Sequence, residues 1–123
     1  QDIAYDIGMY CYSQGVVRES SQPDYVRIFE RGSAYETCNA EMYLLPEGEE
    51  ELVIEAKALS EPESQLLRLD VTAFPQRKAG QSKIKLSLAF TDAHTLAVTI
   101  EDIGLGQVSP GSGKVIQEIF HLE

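Results

Sequence analysis

Few residues in this chain are of a type and spacing that could do chemistry. A general base at neutral pH is most often histidine, and there are two, His94 and His121. His94 falls in the turn Thr91-Asp-Ala-His-Thr95, and His121 lies near the C-terminal end of the sequence. Neither has a nucleophile beside it, so no nucleophile–base pair can be named. Cys11 and Cys38 are far apart, with no CxxC and no adjacent histidine. A structural zinc site takes about four such ligands, so none is expected unless carboxylates contribute. The cysteines read as buried free thiols of a reducing compartment, with a single disulfide between them as the alternative. Ser109-Pro-Gly-Ser-Gly-Lys114 has the flavour of a phosphate loop, but Val108 stands where its first glycine belongs and Val115 where the metal-binding hydroxyl belongs. It reads as a flexible turn. Gly104-Leu-Gly106 lacks the third glycine of a dinucleotide fingerprint. Carboxylates are paired at Glu101-Asp102 and clustered over Glu49 to Glu51, but in acidic turns that pattern has little specificity. The expectation is no enzyme, no cofactor and no metal.

Charge is the next signal. Twenty acids oppose ten bases, a net charge of −10, which rules out a uniformly basic nucleic-acid-binding surface and a polybasic membrane anchor. The charge is segregated. Glu41 to Glu63 holds eight glutamates and one lysine, while Ser64 to Phe90 holds five bases (Arg68, Arg77, Lys78, Lys83, Lys85) against Asp70. The bland reading is a well-solvated surface. The sharper one is that the acidic loop Glu47-Gly-Glu-Glu-Glu51 attracts a basic partner. Phe74 is the only aromatic interleaved with the basic stretch before Phe90, so nucleic acid is not the expected partner. No apolar run reaches the roughly 18 residues of a membrane span, and the location expected is cytoplasmic.

The elements that position these residues are strands. Apolar–polar alternation recurs between turn signals. It predicts strands over Ile7–Tyr12, from Val16-Val17, over Tyr25–Phe29, Thr37–Leu45, Leu52–Lys57, Leu67–Thr72, Lys83–Phe90 and Leu96–Glu101. Val115–Leu122 reads as a ninth strand or the start of a helix. In the fourth, Cys38, Ala40, Met42 and Leu44 share one face, and Thr37, Asn39, Glu41 and Tyr43 the other. In the clearest pair, Leu86, Leu88, Leu96, Val98 and Ile100 take the core phase. No window carries a helical apolar stripe, and Pro62 interrupts the one stretch rich in helix formers. At 123 residues the chain is one domain, residues 1–123. The pattern is all-β: a two-layer antiparallel sandwich of about eight short strands with under about a tenth helix.

Four segments resemble the substrate-binding β-domain of DnaK-type heat-shock chaperones. The hairpin with Phe90, Asp92, Leu96, Val98, Asp102 and Gly104 resembles that domain's last strand hairpin. Phe74-Pro-Gln-Arg-Lys-Ala-Gly80 falls where that family has a proline-rich loop. Ile28 to Glu36 and Asp6-Ile-Gly-Met9 resemble segments further upstream, Glu36 standing where the family has proline. The likeness runs from about Asp2 to Lys114, and Val115–Glu123 is too short for the family's helical lid. The resemblance implies a chaperone-like peptide-binding module, a fragment of a larger protein with an ATPase-like domain upstream. It places a groove for an extended apolar peptide, or an unfolded protein segment, among the first, fourth and fifth strands. The lining it implies is Met9, Tyr12, Tyr43, Leu52 and Ile54, residues that any sandwich core would also supply. Tyr43 falls on the polar face of its strand, as an exposed binding aromatic would. The alternative is a structural or regulatory docking domain whose groove is closed.

Overall fold

The computed structural model describes residues 1–123. It is an antiparallel β-sandwich with 51% of its residues in strands and 5% in helix, within the helix limit set by the alternation. One sheet has the order β2-β1-β4-β5 and the other β10-β7-β6-β3. The first is built from β1 (Tyr5–Cys11), β2 (Asp24–Phe29), β4 (Glu51–Ala58) and β5 (Gln65–Asp70). The second is built from β3 (Asn39–Leu44), β6 (Ile84–Asp92), β7 (Thr95–Asp102) and β10 (Val115–His121). A two-stranded ribbon, β8 (Gly104–Leu105) and β9 (Ser109–Pro110), lies between β7 and β10.

The alternation places the core. Leu52, Ile54 and Ala56 of β4, Leu67 and Leu69 of β5, and Ile84, Leu86, Leu88 and Phe90 of β6 are all buried. Leu96, Val98 and Ile100 of β7 join them in one cluster that also takes Ile3, Tyr5, Ile7 and Met9 from the N-terminal strand region. The β6–β7 hairpin holds the register Leu86↔Ile100, Leu88↔Val98 and Phe90↔Leu96, so each inward residue meets another across the strands. Phe29 of one sheet packs edge-to-face on Phe90 of the other, with ring centroids 5.9 Å apart. Tyr5 is closed over by the C-terminus, its hydroxyl donating to the Glu123 carbonyl.

Two expectations need correction, and one left open between strand and helix is settled. Val16 and Val17 do not begin a strand. They lie exposed in the long β1–β2 connection, followed by a single 3₁₀ turn over Arg18–Ser20. Two β-branched residues mimic a strand start, but Gly15 at φ 85° turns the chain just before them. Thr37 and Cys38 precede β3, Thr37 belonging to a second 3₁₀ turn that starts at Tyr35. Val115–His121 is a strand, paired along its length with β7 from Val115↔Glu101 to His121↔Thr95.

Candidate functional site

The site begins with a ladder that stops short. β1 pairs with β4 from Tyr5↔Ala58 to Gly8↔Glu55 and no further. β1 continues through Met9, Tyr10 and Cys11 with only β2 beside it. β4 carries Glu51 to Ile54 with only β5 beside it. Beyond Gly8 and Glu55 the first sheet therefore forks. No backbone hydrogen bond outside the ladders reaches Met9–Tyr12 or Glu51–Ile54, so the two inner strand edges are open to an added strand.

A cleft of about 690 Å³ occupies this fork. Met9, Tyr10, Cys11 and Tyr12 wall it on one side, and Glu51, Leu52, Val53 and Glu55 on the other. Tyr43, Leu44 and Leu45 close it from the end of β3. Met9 is only 4% exposed and forms floor rather than rim, while Tyr43 is 56% exposed at the edge. The structure thus brings together Met9, Tyr12, Tyr43 and Leu52. Ile54 is the exception among the expected lining residues. It is 0% exposed, shares the inward phase with Leu52, and belongs to the core behind the cleft.

Electrostatics give the cleft a sign. Its lining holds four carboxylates, Glu47, Glu49, Glu51 and Glu55, against one cation, Arg18. Arg18 fastens the β1–β2 connection to the acidic turn, with its Nε 2.7 Å from Glu47 and its Nη1 donating to Glu49. The guanidinium also lies 4.9 Å from the centroid of the Tyr12 ring. Burial pushes the Glu49 carboxyl up, but the Arg18 hydrogen bond and backbone N–H donors outweigh it, and the net displacement is downward. Glu51 pairs with Arg68 at 2.6 Å on the open surface, a contact of small worth. Glu55 has no cation partner. At the rim the Lys83 ammonium sits 5.2 Å from the Tyr43 ring centroid. Tyr12 and Tyr43 thus already face cations. Burial raises the Cys11 thiol pKa, which keeps it neutral.

A second polar cluster holds the neighbouring loop rather than a ligand. Asp102, read from the sequence as part of an acidic turn, is 1% exposed at the end of β7. Arg77 grips it with both terminal nitrogens, at 2.9 and 2.8 Å. The Ser112 hydroxyl and backbone N–H add bonds of 2.6 and 3.0 Å. Arg77 also donates to the Pro110 carbonyl at 3.1 Å. The segment Ser109–Lys114 is therefore no free turn; it wraps a buried carboxylate. Gly104 at φ 64° permits that wrap, because a Cβ there would lie 2.1 Å from the Gly111 nitrogen. The bonds from Arg77, and then those from Ser112, overcome burial and hold Asp102 at about 2, below the usual 3.8. No buried side-chain nitrogen or oxygen here lacks a hydrogen-bond partner. The loop so anchored runs on to Gly80, which touches the cleft.

His94 caps the β6–β7 turn through its backbone N–H, which donates to Asp92 at 2.8 Å. No group of three or more His, Cys, Asp and Glu side chains converges, and Cys11 and Cys38 are unpaired. No helix is long and apolar enough to cross a membrane. Tyr10, Arg18 and Glu55 are among the cleft residues that sequence reasoning missed. Tyr10 shares the outward phase of β1 with Tyr12, a signal that was available. Arg18 was hidden in the false second strand.

Among known proteins, the family model for a domain of unknown function, DUF8552, matches residues 3–122, and the chain belongs to that family. No curated protein and no solved structure matches the chain.

Proposed function

We propose that this member of the DUF8552 family is a binding module for extended polypeptide segments that carry apolar and basic side chains. The observation that supports this reading is the forked sheet, with an apolar floor and an acidic rim in one open cleft. An extended segment supplies the main-chain groups that the open strand edges lack, and alternate side chains find pockets. The carboxylates favour a cationic partner and disfavour an acidic one. The docking-domain alternative calls for a filled groove or a flat patch, and the cleft is neither. The resemblance to DnaK-type β-domains adds that the bound segment belongs to an unfolded chain and that an ATPase-like domain accompanies the module. Those two points rest on that likeness alone. The unpaired cysteines suit a reducing compartment such as the cytoplasm.

The test is a fluorescence titration of the whole chain with a leucine-rich basic heptapeptide and its acidic counterpart. The basic peptide is expected to bind in the micromolar range, roughly −8 kcal/mol at best. Its preference over the acidic one fades as salt rises, because exposed charges are screened beyond about 10 Å at 0.1 M. Tyr43→Ala, which removes an exposed rim aromatic, is expected to weaken binding several-fold without unfolding the protein. Absence of binding by either peptide at millimolar concentration would transfer the assignment to the docking domain.

A further inference from the structure

We infer that the fork selects segments in which apolar and basic residues alternate, by taking them up as an inserted strand between β1 and β4. This rests on the peptide-binding reading above and specifies its ligand. Met9 and Cys11 on β1, and Leu52 on β4, take the inward phase, with Ile54 in the core behind them. Tyr10 on β1, Tyr12 just past its end, and Glu51, Val53 and Glu55 on β4 take the outward phase and remain in part accessible. A strand placed between them has the same period of two. Its side chains therefore fall alternately on the sulfur- and leucine-lined floor and on the outer surface beside Tyr10 and Glu55.

The outer surface asks for a cation. Glu55 stands at the last rung of the ladder with no ion-pair partner. Tyr10 is an exposed ring, touched by Tyr25 edge-on at a centroid distance of 5.5 Å. Tyr25 itself folds over Gly8, where any Cβ would lie 2.4 Å from its hydroxyl oxygen. That glycine seats the aromatic pair at the mouth of the fork. Burial, and then the Asp6 and Glu55 charges, raise the Tyr25 pKa against the opposing charge of Arg27. A lysine or arginine here meets a free carboxylate and aromatic faces together. The floor accepts no charge, because Met9 and Leu52 offer nothing to pair with it.

The other free edges of the sandwich, on β2, β3, β5 and β10, each offer one row of backbone groups. The fork offers two that face one cleft, so a single inserted strand is bonded on both sides.

The experiment compares peptides of identical composition on the whole chain by anisotropy. One is Lys-Val-Lys-Val-Lys-Val-Lys, and the other is Lys-Lys-Val-Val-Val-Lys-Lys. A third is the alternating peptide N-methylated at its valines, which removes the backbone donors on one side. The alternating peptide is expected to bind about tenfold more tightly than either, because the block peptide sets lysines over the apolar floor and the methylated one loses one or two net hydrogen bonds. Glu55→Gln, a change at a partly exposed surface position, is expected to reduce that advantage while leaving the urea midpoint in place. Equal binding of the alternating and block peptides, or undiminished binding of the methylated one, overturns strand insertion and leaves peptide binding standing. Failure of all three to bind overturns both.

Discussion

Asp102→Ala is expected to cost about 3–5 kcal/mol, because it strands a charge in the protein interior. Arg77 is 13% exposed and spends its two terminal nitrogens on Asp102. With the carboxylate gone, the guanidinium keeps the Pro110 carbonyl and a long bond to Ser82 and little else. Ser112 loses both of its bonds to the same carboxylate. The wrap of the β8–β9 ribbon then has nothing at its centre. Replacing Arg77 and Asp102 together by apolar residues of similar size is expected to recover much of the loss, since it is the unpaired charge that costs most. The pH dependence follows from the direction of the shift. Asp102 in the folded protein titrates at about 2 rather than 3.8. Its contribution is complete above about pH 4 and is lost as pH falls toward 2, and its size is about 2 kcal/mol. Urea midpoints measured at pH 7 and pH 3 read both effects. The variant should show a shallower decline over that interval than the parent. A loss under about 1 kcal/mol at pH 7 would mean the cluster is solvated.

Leu88→Ala is expected to cost about 2–5 kcal/mol, from lost transfer free energy and the cavity left behind. Leu88 sits in the middle of β6, opposite Ala40 on one side and Val98 on the other. It is buried between two layers whose neighbours cannot collapse inward without breaking either ladder. Its sequence neighbour Ser87 points the other way, and Ser87→Ala should stay within about 0.5 kcal/mol. Equal and small effects at the two positions, read by urea denaturation, would mean that the phase of β6 is reversed.

The phase of each central strand was readable because alternation is local: Ile84 through Phe90 announces its own two faces. Pairing is not local, and the fork depends on pairing. Nothing in Met9-Tyr-Cys11 says that β4 leaves its side after Gly8, and nothing in Glu51–Ile54 says so either. For the same reason Leu52 and Ile54 look equivalent in the sequence. They share a face, but Ile54 lies next to the last rung at Glu55 and is sealed, while Leu52 lies beyond it and meets the cleft. Asp102 reads as part of an acidic turn because its meaning depends on Arg77, twenty-five residues earlier. An aspartate beside a glycine-bearing loop reads as a solvated turn until its partner is known. Val16-Val17 misled in the opposite direction, since two β-branched residues suggest a strand where Gly15 and the Arg18 clamp impose a loop.

We propose that the fork between β1 and β4 receives an extended segment. Its most direct test is amide chemical-shift mapping of the isotopically labelled chain during titration with the alternating basic peptide. The largest shifts are expected on Met9 to Tyr12, Tyr43 and Glu51 to Glu55, with slowed hydrogen exchange along the two inner strand edges. Shifts concentrated instead on the outer face of the second sheet, at Ser87, Ala97 and Thr99, or shifts absent at saturating peptide, would contradict it.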